Sequence, residues 1–477
     1  MTTRKLSTFS YCYECEQPVP AFYERRGDAV YLIKTCPEHG ESRALASENA
    51  EEFFKWIDFP SVTVPPRVFV TKGTPKKSSI DDESCNKELQ NTECPHHCGP
   101  CENHLMTACC VLLNVTARCN QHCPYCFAEA ERHGDGVFPQ DPSLEEIRKR
   151  LDCLTELGEE RKFNIQLSGG EPTVRDDLPE IISMCKAKGF EYIQLNTNGK
   201  RLSEDPGYAK ELKAAGLSVV FLQFDGVSDD VYERLRGEPL LEGKKTAIQN
   251  CKDAALPVTL VPTVLKTVNL SQTGAIICFM LENLSVVKGV HFQPASFFGR
   301  KPDEQNEEGD FDERVTMFAV MDEIEKQTKG RIKKADLAPI STGHPLCCFC
   351  AAYTKEPSGE LRPFSSGGAC CGESGDPGEI VRRDRDFVMN KWDIQAPEEV
   401  PEEAGRGEAC CAGAPLSFDD ALAMFKNNTF TISGMAFMDE TNLDAERLRR
   451  CRVQVFSPDE RLIPFCAYYT YHSAKEK

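Results

Sequence analysis

The chain contains no run of about 18 apolar residues, so no transmembrane helix is expected. Its first stretch, Met1 to Tyr11, is polar and lacks the apolar core of a secretory signal. A cytoplasmic location is therefore the expectation. Cations are in deficit: 56 Lys and Arg stand against 75 Asp and Glu, a formal charge of −19. Nucleic acid as a main partner would need clustered cations against its phosphates. An anionic membrane surface would need them too. No internal repeat of about 20–50 residues is present.

Cysteine, by contrast, is abundant, with 25 in 477 residues. Without an export signal, a disulfide framework is the weaker reading. The count is odd, and many of the cysteines stand in short groups with metal-ligand spacing. Cys153, Cys185, Cys251 and Cys278 stand alone in apolar helical patterns and are expected to pack as small hydrophobes.

At about 100–200 residues per domain the chain makes two to four domains. The expected division is 1–58, a small metal-binding domain; 59–110, a linker with a cysteine motif; 111–300, a parallel α/β unit; and 301–477, a Cys-rich C-terminal region. In the third part, strand candidates are Val111–Thr116, Phe163–Leu167, Tyr192–Asn196, Val219–Gln223, Val258–Val264 and Val290–Gln293. Helical patterns lie between them. One is opened by Ser143 with Glu146 three residues on, a capping box. The alternation predicts βα units and a parallel sheet, a partial six-stranded barrel. In such folds the chemistry sits at the C-terminal ends of the strands.

The motifs fall there. After the first strand comes Cys119-Asn-Gln-His-Cys123-Pro-Tyr-Cys126. Three thiolates in one tight loop can hold three irons of a 4Fe–4S cluster and leave the fourth open; a zinc knuckle is the blander reading. After the second strand comes Ser168-Gly169-Gly170-Glu171-Pro172, whose glycines allow close backbone approach and whose carboxylate can receive an ammonium group. Asn196-Thr-Asn198-Gly199 follows the third strand and suits a ribose or a carboxylate. The fourth ends in Gln223-Phe-Asp225-Gly226.

This section resembles the radical S-adenosylmethionine (radical SAM) superfamily. The resemblance implies a partial (β/α)6 barrel, with Cys119, Cys123 and Cys126 holding the cluster. It implies that Gly169, Gly170 and Glu171 face the methionine amino group, with Pro172 completing the motif. Asn196, Asn198 and Gln223 are further implied contacts to S-adenosylmethionine. A 5′-deoxyadenosyl radical would abstract hydrogen from an unactivated carbon. A one-electron donor such as flavodoxin or ferredoxin would be needed.

The flanks carry more metal-ligand spacing. Cys12-Tyr-Glu-Cys15 with Cys36-Pro-Glu-His39 suits a rubredoxin-like iron or a zinc site. Its fourth ligand could be His39 or a later residue such as Cys85. Cys94-Pro-His-His-Cys98-Gly-Pro-Cys101, with Cys109 as a fourth ligand, would make a closed auxiliary 4Fe–4S cluster; zinc is the alternative. Cys347, Cys348, Cys350, Cys370, Cys371, Cys410, Cys411, Cys451 and Cys466 follow. Cys451 and Cys466 are either partners in a C-terminal cluster or buried thiols in a small β-element. Arg447, Arg449 and Arg450 read as a solvated helix face, and His133, His291 and His344 as ordinary surface or core histidines.

The segment order, above all Cys94 to His104 and Arg447 to Tyr468, resembles the tetraether lipid synthase group of that superfamily. This implies a lipid or small-molecule substrate, joined or alkylated at carbon. A peptide-modifying maturase is the second enzyme reading, and an electron carrier or scaffold the non-enzyme one. A lipid calls for an apolar path to the open iron, a peptide for a polar groove. Residues 430–470 are expected to pack over the strand ends near Cys126, with Met435, Phe437, Met438, Phe465 and Tyr468 along the substrate path.

Overall fold

A computed structural model describes residues 5–66, 68–71, 74–77, 103–132, 140–157, 163–301, 313–363 and 427–472. The chain opens with a four-stranded antiparallel sheet, Lys5–Tyr11, Pro18–Arg26, Ala29–Cys36 and Gly40–Ser47. Strand alternation turns Val19, Ala21 and Tyr23 inward. The helix Ala50–Ile57 follows, capped by the Asn49 side chain.

The six expected barrel strands are Cys110–Thr116, Asn164–Gly169, Ile193–Thr197, Val219–Gln223, Val258–Val261 and Val287–Pro294, each parallel to the next. Helices connect them on one face. Leu144–Leu157 begins with the expected capping box, in which Ser143 Oγ and the Glu146 carboxylate bond each other's backbone amides. One side of every strand (Val111, Leu113, Ile165, Leu167, Leu195, Leu222) joins the helices in a single core.

The sheet does not stop at six parallel strands. Thr429–Met435 adds in parallel beside the sixth strand, and Val453–Phe456 beside the first. The described sheet therefore has eight parallel strands, edged by antiparallel Cys348–Lys355 with Leu361–Pro363 on one side and Leu462–Pro464 on the other. Residues 436–452 connect the two added strands. They start where Ala436 N donates to Cys347 O and end where Arg452 O accepts from Cys109 and Cys110. The C-terminal region so supplies sheet as well as cover.

Side-chain bonds fasten this connection to the N-terminal sheet, among them Lys34 Nζ to Glu440 O at 2.7 Å. Thr8 Oγ1 and Tyr23 OH each donate to the Asp444 carboxylate at 2.7 Å, and Ser10 Oγ donates to Leu443 O at 2.5 Å. Asp439, fully buried, accepts from Arg314, Thr441 and the Phe297 amide, joining the connection to the loop after the sixth strand.

Two expectations are corrected. Cys185 and Cys251 are buried and Cys153 packs partly against the core, but Cys278 is exposed, because its helix buries Ile276, Ile277 and Met280 instead. Arg447 is buried as well: its guanidinium turns inward to Ala436 O and the Cys347 sulfur. Among the described residues, no helix is long and apolar enough to cross a membrane.

Candidate functional site

The cysteine loop leaves the end of the first strand. Cys119 and Cys123 are buried and Cys126 is half-buried. Side chains pin the loop from three directions. Thr116 and Arg118, at its start, both bond Asp141. Arg300 donates to Cys123 O and Ala130 O, both at 3.0 Å, and its backbone pairs with Cys126. Arg236 donates to Tyr125 O at 3.2 Å. Burial, with Glu171 adding to it, pushes the Cys119 thiol up to about 12, and burial raises Cys123 too. Thiolate ligation here must release protons against that cost, which a bound cationic centre offsets.

The second strand delivers Gly169, Gly170, Glu171 and Pro172 beside this loop. Gly169 has φ +131°, and a Cβ there would lie 2.1 Å from Thr116 O. A Cβ on Gly170 would lie 2.2 Å from Arg118 O. Both glycines thus let the two strand ends touch, and Gly170 N and Glu171 N bond Thr116 O and Arg118 O. Glu171 is buried and already well supplied with donors. Its Oε1 accepts from Thr173 N, Thr173 Oγ1 and Thr197 Oγ1, and its Oε2 from Asn198 N at 2.7 Å. It therefore ties the second strand end to the third, with remaining acceptor capacity at Oε2. Pro172 opens the short turn that Glu171 caps.

Asn198 closes the ring, donating to Asn120 Oδ1 inside the cysteine loop at 2.7 Å. The Gln223 carboxamide accepts from the buried Lys244, whose ammonium also donates to Asn198 O. Burial draws Lys244 down to about 8. Asn196 is half-buried, 3.4 Å from Gln194 Nε2. Cys119, Glu171, Asn198 and Gln223, separated in sequence, thus belong to one connected network at the strand C-terminal ends.

Below this ring, the strand face turned away from the helices mixes polar side chains with the apolar Phe221 and Val261. Gln166, Asn196, Gln223, His291, Gln293 and Ser433 lie along it, all half-exposed. His291 Nδ1 lies 2.9 Å from Ser433 Oγ. None of the six is a carboxylate or an alkyl cation. At the side, the C-terminal segment meets the cysteine loop through aromatic rings. Phe127 packs on Phe465 (5.7 Å) and Tyr469 (4.8 Å), and Phe437 stacks on Phe465 at 4.2 Å. Met438 and Tyr468 belong to the same cluster.

The N-terminal group is built for one ion. Cys12, Cys15, Cys36 and His39 place their ligand atoms within 4.8 Å of one another, with His39 Nδ1 3.6 Å from Cys12 Sγ and 3.5 Å from Cys36 Sγ. Burial pushes the Cys36 thiol up, but the amides of Glu38 and His39 and the His39 ring outweigh it and bring it down to about 6. Cys94, Cys98 and Cys101 lie outside the described residues, as do Cys85, Cys370, Cys371, Cys410 and Cys411. Cys109 is half-buried at the start of the first strand. Cys451 and Cys466 are close enough to Cys347 that their thiols, both raised by burial, interact with it and with each other.

Sequence reasoning missed Asn120, Arg236, Lys244 and Arg300. The signal for Arg236 was Asp225: a carboxylate at the end of a buried strand demands a buried cation, and the next helix ends in one.

Comparison with known proteins agrees with this geometry. Residues 113–279 match the radical SAM superfamily, and residues 6–48 match the HMPTM N-terminal zinc ribbon domain. The 7,8-dihydro-6-hydroxymethylpterin dimethyltransferase of Methanocaldococcus jannaschii is 34% identical over 504 aligned residues, 98% of this chain and 93% of that one. The Fe-coproporphyrin III synthase of Methanosarcina barkeri is 34% identical over 158 residues, 33% of this chain and 37% of that one. The crystal structure of Streptococcus suis SuiB with its precursor peptide superposes at TM-score 0.38 and 13% identity, covering 48% of this chain and 47% of that one, too small an overlap to carry an argument. The protein is an iron–sulfur enzyme of the radical SAM superfamily and belongs to the same family as the Methanocaldococcus jannaschii dimethyltransferase.

Proposed function

We propose that the enzyme alkylates a small, neutral, polar heterocycle at an unactivated carbon. The observation that supports this most is the uncharged, half-exposed face of Gln166, Asn196, Gln223, His291, Gln293 and Ser433 below the strand-end ring. Carboxamides and an imidazole offer donors and acceptors to the edge of such a ring. They offer no cation to an anionic headgroup. The printed name of the full-length relative, a dihydropterin dimethyltransferase, points the same way.

In this reading Cys119, Cys123 and Cys126 hold the 4Fe–4S cluster, and Glu171, Asn198 and Gln223 border S-adenosylmethionine. When bound, the two supply a 5′-deoxyadenosyl radical. The chain's own part is to orient and to exclude water. Glu171 and Asn198 lock the strand ends to the cysteine loop, and the Phe127–Phe465–Tyr469 layer covers the side. Flavodoxin or ferredoxin is the class of electron donor. The ribbon carries a single zinc or iron on Cys12, Cys15, Cys36 and His39. Cys94, Cys98, Cys101 and Cys109, and Cys347 with Cys451 and Cys466, are the auxiliary cluster candidates.

A second reading is coupling or alkylation of lipid chains, favoured by the aromatic layer against the cysteine loop, where Phe127 remains 38% exposed. The deciding experiment supplies anaerobic, reduced enzyme and S-adenosylmethionine with either 7,8-dihydro-6-hydroxymethylpterin or a deuterated lipid. The proposal expects methylated pterin to accumulate in step with 5′-deoxyadenosine, one S-adenosylmethionine giving the radical and a second the methyl group, with two electrons from the reductant per turnover. Deuterium passing from the lipid into 5′-deoxyadenosine, with the pterin unchanged, would overturn it.

A further inference from the structure

Asp225, two residues beyond the end of the fourth strand, is fully buried. Its carboxylate takes a two-pronged bond from Arg236, Nε to Oδ2 at 2.7 Å and Nη2 to Oδ1 at 2.8 Å. Thr263 N donates to Oδ1 as well, and Thr263 Oγ1 accepts from Arg236 Nη2 at 2.9 Å. Asn269 fixes the Asp225 carbonyl. The pair is therefore rigid and, with Arg236 only 7% exposed, shielded from solvent.

Its direction matters. The remaining arm of the guanidinium faces the cysteine loop, donating to Tyr125 O at 3.2 Å, and its charge acts on Cys123. The Arg236 charge also acts on Cys126. The helix Asp229–Arg236 ends at Gly237, with φ +82°, where a Cβ would lie 3.8 Å from His122 O and from Pro124 Cδ, so the helix end abuts the loop. The cation is the member in contact with the loop, and Asp225 holds it from behind. A structural ion pair has no need of this orientation. Donors to cluster sulfurs and nearby charge are what set iron–sulfur potentials.

We propose that Arg236 and Asp225 set the reduction potential of the cluster held by Cys119, Cys123 and Cys126, with Arg236 favouring the reduced form and Asp225 moderating it. They are positioning residues, acting through the cluster ligands. The inference rests on the reading of those three cysteines as the cluster site. The step concerned is the uptake of one electron from an external one-electron donor by the oxidised cluster. No proton is transferred and no bond breaks.

The experiment is a mediated redox titration of the anaerobically reconstituted full chain, followed by electron paramagnetic resonance. The signal followed is the one that changes when S-adenosylmethionine is added, which separates this cluster from any other. Arg236→Gln should cut the ratio of reduced to oxidised cluster about tenfold at a fixed potential, a downward shift of about 59 mV for a one-electron couple. Asp225→Asn should shift it several-fold the other way, and the double variant should return towards wild type. Iron, sulfide and circular dichroism check assembly. If Arg236→Gln loses the cluster, Arg236→Lys and Asp225→Asn decide: the first should stay within about threefold of wild type and the second should still shift upward. Shifts of the same sign, or no shift in Asp225→Asn, would overturn the proposal. Absence of any responsive signal in wild type would instead overturn the cluster reading.

Discussion

Removing the Asp439 carboxylate should loosen the C-terminal segment from the barrel. Asp439 is fully buried and accepts two bonds from Arg314 Nη2, at 2.9 and 3.0 Å, with further bonds from Phe297 N and from Thr441 N and Oγ1. Asp439→Ala leaves the Arg314 charge buried and unpaired. Losing one partner of a buried pair costs about 3–5 kcal/mol. Most of that cost is the stranded charge, so the double variant Arg314→Met with Asp439→Leu should recover much of it. Burial pushes the Asp439 carboxyl up, but Arg314 and the hydrogen bonds more than reverse this, so its folded value lies below the usual carboxylate range. The contribution is therefore fully present above the unfolded value of about 3.9 and lost as pH falls through the folded one. Hydrogen exchange over residues 436–447, with thermal unfolding at pH 7 and pH 3, reads both effects. In Asp439→Ala this segment should exchange much faster at pH 7, and the gap from wild type should narrow in acid. A single variant within about 0.5 kcal/mol of wild type, or a double variant as unstable as the single one, would refute the reasoning.

Other outcomes follow from the same geometry. Gly170→Ala, whose Cβ would sit 2.2 Å from Arg118 O, should displace the cysteine loop, and iron and sulfide bound after reconstitution should fall sharply. Glu171→Gln places an amide donor among four donors; stability should drop by about 1–3 kcal/mol, and calorimetry should show weakened S-adenosylmethionine binding. Cys36→Ser should remove one metal equivalent by elemental analysis while leaving the cluster spectrum in place. Unchanged metal content would point to ligands other than the ribbon set.

The barrel was legible because its strands are rich in β-branched and apolar residues and alternate with amphipathic helices, the first opened by the Ser143–Glu146 capping box. Val219–Gln223 matches its expected limits, and the other strands shift by a few residues at their ends. The seventh and eighth parallel strands were not legible. What defines Thr429–Met435 and Val453–Phe456 is the edge that each meets far back in sequence, at Gly289 and at Cys110. The cysteine loop and the Gly-Gly-Glu-Pro segment announced themselves, but the work of each residue did not. Gly169 and Gly170 look like ligand-cradling glycines, whereas their first task is contact between two backbones. Arg236 sits in a helix whose composition reads as solvated. Only the buried Asp225 turns it inward.

The central claim is that Cys119, Cys123 and Cys126 hold the cluster that cleaves S-adenosylmethionine. The most direct measurement is 5′-deoxyadenosine formed per protein under anaerobic dithionite, in wild type and in the variant with all three cysteines replaced by Ala. The account predicts formation in the first and none in the second, with the ribbon metal retained in both. Equal formation in the two would contradict it.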